Sequence, residues 1–284
     1  MSCDEKNEPM QILSLGAGVQ SSTLALMAAH GEIGPMPDCA IFADTQAEPA
    51  SVYKWLDWLT EQLPYPVHIV SKGSLTTVVT QYRTNKDGKQ SARNILPLFV
   101  DTGVGPAGAV MRGCTMDHKI SPLLKKEREL ANVKRGEKSV KCISWIGISV
   151  DEVVRMKDSR VAWCKHRWPL IEKGMNRHDC KQWMNRNGYP EPPRSACVYC
   201  PFHSNNEWRR LKEDDPDGFA EAVRVERMIQ KLHGTARDGM PGRIKGVPFL
   251  HRSMVNIGEV DFSTETDHGQ LDMFQNECEG MCGV

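Results

Sequence analysis

The chain has 284 residues, and its 36 lysines plus arginines are matched by 36 aspartates plus glutamates, so global charge selects neither an acidic nor a basic partner. It is long enough for one large domain, or for one domain plus a small appendage. No apolar run approaches the ~18 residues of a membrane span, and the opening MSCDEKNEP is charged rather than signal-like, so the expectation is a cytoplasmic chain with no membrane contact; ten cysteines there point to metal or redox chemistry, not a disulfide framework.

Residues 11–15, QILSL, are mostly apolar and predict a short buried strand. A turn with Gly16 and Gly18 follows, then the hydroxyl run Ser21, Ser22, Thr23, then a helix pattern at Leu24, Ala25, Leu26 and Ala28. Backbone N–H groups at such a helix start point at whatever lies over the loop, which makes it a phosphate site. The Lys-Ser/Thr ending of a Walker A loop and the third glycine of G-x-G-x-x-G are both missing. Residues 39–43 predict a second buried strand, with Asp44 and Thr45 at its C-terminal end. Val52, Trp55, Leu56 and Leu59 recur at helical spacing and predict a helix over 51–63; residues 67–70 predict a third strand. This β-α-β-α-β run predicts an α/β fold with a doubly wound parallel sheet. Ligands of such sheets sit beyond the carboxyl ends of the strands, where the glycine loop and Asp44 both fall.

Residues 74–82 predict a helix with Ser74 as N-cap. A polar stretch over 84–93 and an apolar one over 95–100 lead to a glycine-rich loop, 101–114, ending in Arg112-Gly113-Cys114. A helix to Leu130 is expected next, with Ser121 as N-cap, Pro122 at its first position, and Leu123, Leu124 and Leu130 on its apolar side. Residues 119–141 hold eight basic and three acidic side chains, either a surface for an anion or nucleic acid or a solvated helix face. Residues 143–146 predict another buried strand, followed by Gly147 to Glu152 and by Arg155, Lys157 and Arg160, cations suited to phosphate or sulfate. A helix is predicted over 176–187, stopping at Gly188. Pro190, Pro192 and Pro193 then connect to Cys197-x-x-Cys200, and two helices follow over about 205–212 and 216–232. After Arg252 come seven acidic residues and no Lys or Arg, with Cys278 and Cys282 near the end. The expected organisation is a nucleotide-binding α/β domain over 1–170, a smaller helical cysteine-bearing region over 171–250, and an acidic tail over 251–284.

Cys197 and Cys200 form a chelating pair with three readings: structural zinc, an iron–sulfur cluster, or a redox dithiol. Cys180, on the helix that feeds the connector, and Cys114, in the glycine loop, extend the set to four. Cys39, Cys142 and Cys164 lie in or beside apolar strands and read as packing residues.

Residues 16–21, Gly-Ala-Gly-Val-Gln-Ser, resemble the pyrophosphate loop of the PP-loop ATP pyrophosphatase superfamily, the adenine nucleotide alpha hydrolase-like group, whose pattern is Ser-Gly-Gly-x-Asp-Ser. Gly16 stands for the leading Ser, with Ser14 two residues earlier, and Gln20 stands for the Asp. A Gln near this point, the phrase IFADTQAEP, and Gly147-Ile148 followed by Glu152 and Arg155 are similar to the phosphoadenosine phosphosulfate (PAPS) reductase branch. The cysteine order over about 169–201 resembles that of cluster-binding sulfate reductases and of the cysteine-rich ATPase of bacterial DNA phosphorothioation. The resemblance covers roughly residues 11–202.

The resemblance implies a Rossmann-like sheet of the PP-loop (HUP) type. It implies ATP or a related adenine nucleotide, with magnesium, on Ser14, Gly16, Gly18, Ser21, Ser22, Asp44 and Arg155. It implies a 4Fe–4S cluster on Cys114, Cys180, Cys197 and Cys200. Zinc is the alternative, with His178 or His203 able to replace a thiolate. Catalytic roles fall to Gln20 and to Cys278 and Cys282, because Glu277-Cys278-Glu279-Gly280 is similar to the nucleophilic Glu-Cys-Gly tail of PAPS reductases. Two activities stand open: ATP-dependent adenylation with sulfur transfer to tRNA or DNA, and reduction of a sulfonucleotide. An electron or sulfur donor protein and a homodimer are the implied partners. The readings from other classes are a non-catalytic nucleotide-binding redox sensor and a zinc-stabilised nucleic-acid-binding protein.

Overall fold

The computed structural model describes residues 8–104 and 112–262. Strands β1 (Met10–Leu15), β2 (Cys39–Asp44) and β3 (Val67–Ser71) alternate with helices α1 (Val19–Ala29) and α2 (Ala50–Gln62). Next come α3 (Leu75–Thr80), the short strands β4 (Arg83–Thr84), β5 (Gln90–Ser91) and β6 (Phe99–Asp101), and helix α4 (Ser121–Leu130). Strands β7 (Cys142–Ile146) and β8 (Cys164–Arg167) precede α5 (Pro169–Glu172), α6 (Arg177–Arg186), α7 (Asn205–Asp214), α8 (Pro216–Thr235) and β9 (Val247–Phe249). Five of the strands form one parallel sheet in the order β3-β2-β1-β7-β8. The order reverses between β1 and β7, so the crevice of this doubly wound sheet opens there, at the carboxyl ends.

Alternation along the strands divides the sheet into two buried faces. Leu13, Leu15, Ala40, Phe42 and Trp145 pack under α1, α2 and α6. Ile12, Cys39, Ile41, Cys142 and Ile146 pack on the other side against Ile120 and Leu123 at α4. A third apolar cluster joins α7 and α8 to α3 and to residues 95–100, through Val198 and Tyr199. The helical region is thus completed by segments from the first half of the chain, and α6 belongs to the sheet's own layer, where it packs on α1. Among the described residues, no helix is long and apolar enough to cross a membrane.

Local signals explain most boundaries. Ser74, Asn176 and Ser204 each accept a hydrogen bond from the backbone N–H three residues on, the last two within full capping boxes. Ser121, expected as an N-cap, instead continues a helix that begins at Cys114 and passes through a wide turn, Met116–Ile120. Pro122 offers no N–H to the preceding turn, and the wide turn directly before it absorbs that mismatch. The edge strand β8 has the sequence CKHR, polar enough to lack any alternation signal.

Candidate functional site

The loop after β1 is held by its own hydroxyl. Ser21 Oγ accepts from Gly16 N at 3.1 Å and donates to Gly18 O at 3.4 Å. Ala17 takes a left-handed conformation, φ 56°, which turns the chain back into α1. Ser22 Oγ accepts from Trp55 Nε1 at 2.9 Å, tying the head of α1 to α2. Ser14, next to last in β1, is buried and its hydroxyl has no hydrogen-bond partner among the described residues.

Gln20 spans the crevice. Its Oε1 accepts from Arg177 Nη1 at 2.7 Å, and its Nε2 donates to Glu152 Oε2 at 3.2 Å and Ser149 Oγ at 3.4 Å. Arg155 is ion-paired with the other oxygen of Glu152. Glu152 and Gln20 are both buried, so the loop, the segment after β7 and the start of α6 form one polar network. Arg155 meets the Glu152 carboxylate and Arg177 the Gln20 amide, with Asp151 accepting from Arg177 N, so the network holds both signs of charge beside a helix start. Two of the three sequence-identified cations, Lys157 and Arg160, join Arg155 around a separate cavity floored by Ile120, Ile146 and Ile148. His166 also lines it, with Nδ1 held by Lys157 O at 2.7 Å, and burial lowers its pKa.

At the end of β2, Asp44 Oδ1 accepts from Tyr53 Oη at 2.8 Å and from Gln46 N at 2.7 Å. The next residue turns to the cysteines: Thr45 Oγ1 lies 3.3 Å from Cys197 Sγ. Ala47 O accepts from Val198 N at 2.8 Å. The buried Glu48 pairs with Lys119 at 3.2 Å and accepts from Ser195 Oγ at 3.4 Å. Cys114, Cys197 and Cys200 line one cavity with Thr45, Lys119 and Phe202. Burial, with Glu48, pushes the Cys197 thiol well above its usual range, while Lys119 and the Thr45 hydroxyl oppose the shift.

Three of the four expected thiols are therefore brought together. Cys180 is directed elsewhere: with Trp183 and Met184 at helical spacing, it forms the face of α6 that covers α1. His203 is buried and Nε2 is 2.9 Å from Cys197 O; burial and Arg194 push its pKa down to about 3, so it is neutral and donates that bond. His178 is bonded to Gln182 on the exposed side of α6. Cys278 and Cys282 lie outside the described residues.

Ligands of one tetrahedral zinc stand about 3.8 Å apart. Among the described residues, the group of three such ligand atoms within 4.8 Å of one another is Glu127, Cys142 and Cys164, not the cavity thiols. Sequence reasoning missed Arg177, Glu152 and Ser149 as partners of Gln20, because such contacts join residues more than 120 positions apart. It also missed Glu127, although its spacing from Ile120 and Leu123 puts it on the apolar face of α4.

No protein-family model matches this chain, and no curated protein matches it by sequence. Among solved structures, it is similar to phosphoadenylyl-sulfate (PAPS) reductase from Candida auris in its phosphate complex, with a TM-score of 0.42 and 13% identity over 65% of this chain and 76% of that one.

Proposed function

We propose that this chain is an adenine-nucleotide-binding enzyme of sulfur chemistry, with phosphates at residues 16–22 and a sulfur-ligated centre at the Cys114, Cys197 and Cys200 cavity. The observation that carries this reading is the end of β2. Asp44 ends β2, the strand beside β1, at the same carboxyl edge as the loop over 16–22, and the adjacent Thr45 Oγ1 stands 3.3 Å from Cys197 Sγ. Nucleotide crevice and thiol cavity are thus neighbours.

In this reading α1 N–H groups and the Ser21 and Ser22 hydroxyls receive phosphate oxygens. Gln20 is a positioning residue that sets Arg177 and, through Glu152, Arg155 on the anionic end of the ligand. A 4Fe–4S cluster fits the three cavity thiols with one further ligand, and when bound it supplies redox or electrostatic support for sulfur transfer. Gln20 is neutral where the resembled loop has a carboxylate, so it offers no anionic ligand to magnesium. That favours a bound sulfonucleotide, attacked at sulfur by Cys278 or Cys282, over ATP-dependent adenylation of tRNA or DNA.

The test begins with anaerobic purification, a visible spectrum and iron, sulfide and zinc analysis of the wild type and Cys197→Ala. A brown protein with four irons and four sulfides, lost in the variant, is the expected result. Sulfite release from a sulfonucleotide is then compared with pyrophosphate release from ATP. A folded, iron-free chain that binds no adenine nucleotide by calorimetry overturns the reading. Tight binding with neither product leaves a nucleotide-responsive regulator.

A further inference from the structure

At the sheet edge opposite the crevice, three strands open on cysteine: Cys39 begins β2, Cys142 begins β7 and Cys164 begins β8. Cys142 and Cys164 are direct register partners, and all three thiols are buried on the face covered by α4. Into this face α4 delivers Glu127, which is 0 % exposed. An oxygen of Glu127 and the sulfurs of Cys142 and Cys164 all lie within 4.8 Å of one another. Ser144 Oγ donates to Glu127 Oε1 at 2.7 Å, while Oε2 is buried with no hydrogen-bond partner among the described residues. Among the described residues, no cation pairs with this carboxylate.

A carboxylate inside an apolar core is costly unless a positive charge balances it. Burial pushes the Glu127 carboxyl up to about 7, opposed only by the Ser144 bond. Burial, with Asp38 and Glu127, pushes the Cys39 thiol up to about 11. The Cys142 thiol is raised first by its hydrogen bond to Cys164 and then by burial. Two sulfurs and a carboxylate oxygen are the donor set of a borderline-soft cation such as zinc, and binding displaces the thiol protons.

We propose that Glu127, Cys142 and Cys164 form a closed structural site for a thiophilic divalent cation of the zinc class, which pins α4 to the first residues of β7 and β8. Ser144 holds the carboxylate from behind, as an outer-shell partner does. Cys39 is buried on the same face but stands outside this group of three. Binding releases the protons of the two thiols, and that of Glu127 where it is protonated, and involves no electron transfer. The site is separate from the Cys197 cavity: the two lie at opposite ends of β2, whose six residues span about 17 Å.

The experiment uses the full chain carrying Cys197→Ala and Cys200→Ala, purified without chelator from zinc-supplemented cells. Elemental analysis and native mass spectrometry are expected to find about one zinc per chain. Growth on cobalt should give thiolate-to-cobalt charge-transfer absorption with the visible bands of a tetrahedral ion. Glu127→Gln keeps the acceptor for Ser144 but removes the anionic ligand, and should weaken zinc retention against a chelator about tenfold or more. Cys142→Ser should roughly halve the charge-transfer intensity. A folded, metal-free chain overturns the proposal, as does a Glu127→Gln chain that keeps its zinc unchanged. If the double variant does not fold, the difference in zinc content between the wild type and Glu127→Gln decides: one equivalent supports the site and none sinks it.

Discussion

At Gly147 the turn after β7 passes so close to α1 that a β-carbon would stand 2.9 Å from Ser21 Cα and 3.0 Å from Ser21 N. Both contacts are backbone at the head of the proposed phosphate loop, so neither can swing aside. Gly147→Ala should therefore destabilise the chain by about 1–3 kcal/mol, read from urea unfolding. It should also weaken adenine-nucleotide binding in calorimetry, because relief of the clash moves Ser21 off Gly16 N and Gly18 O. An unchanged affinity would separate the loop from nucleotide binding. The need for glycine here was not legible in the sequence: Gly147 and Ser21 stand more than 120 positions apart, and only the sheet order brings them together. The loop itself was legible, since a strand, two glycines and a helix start follow one another directly. Glu127 shows the opposite difficulty. It lies in a run of basic residues that reads as solvated, and only its helical phase against Ile120 and Leu123 marks it as an inward residue.

Elements defined by local signals were readable. Ser74 caps the helix it was expected to cap, the helix expected over 176–187 starts at its Asn176 cap, and the period of Val52, Trp55, Leu56 and Leu59 gives the buried face of α2. Elements defined by their neighbours were not. β8 is a strand because the edge of β7 recruits it, and α4 starts early because Cys114 and Thr115 are already helical. The place of Cys180 was hidden in the same way, since the side of α6 that carries it is chosen by the surface of α1. The last elements are tied to α8 by Gln230, which donates to Pro248 O and Asn256 Oδ1, and by a buried carboxylate. Glu226 accepts from Leu250 N at 2.9 Å and from Ile257 N at 2.7 Å, fastening the segment after β9 to the helix. Removing it strands two buried N–H donors, so Glu226→Ala should cost about 3 kcal/mol. Hydrogen exchange should show early loss of protection at Leu250 and Ile257, while β1 and β2 stay protected.

The whole molecule should be sensitive to mild acid. Burial, with Arg243 or Arg252 nearby, pushes His233 and His251 down to about 4 from the ordinary 6.5. Both accept or donate as neutral rings: His233 Nδ1 accepts from Ile244 N at 3.2 Å, and His251 Nε2 is 2.8 Å from Asn205 Oδ1. Between pH 6.5 and 4 the unfolded chain takes up protons that the folded chain refuses, so stability is full above 6.5 and falls as the pH drops. Each histidine adds a slope of about 1.4 kcal/mol per pH unit in that window. Urea unfolding at pH 7, 6 and 5 should show this slope, and His233→Asn with His251→Asn should remove the share of these two rings, leaving that of His203, which Glu127 opposes.

The strand order has a further consequence, in the time course of synthesis. β1 pairs with β2 on one side and β7 on the other, and the register partners Met10 and Cys142 stand about 130 residues apart. On a ribosome, β1, β2 and β3 can assemble early. The other edge of β1 waits for those 130 residues, on the order of ten seconds at ordinary elongation rates. During that interval the central strand of the sheet holds a row of unpaired amides toward solvent, the arrangement that mature sheets avoid. The central position that places the loop of β1 at the crevice thus makes the newborn chain a client for whatever shields bare strand edges until β7 arrives.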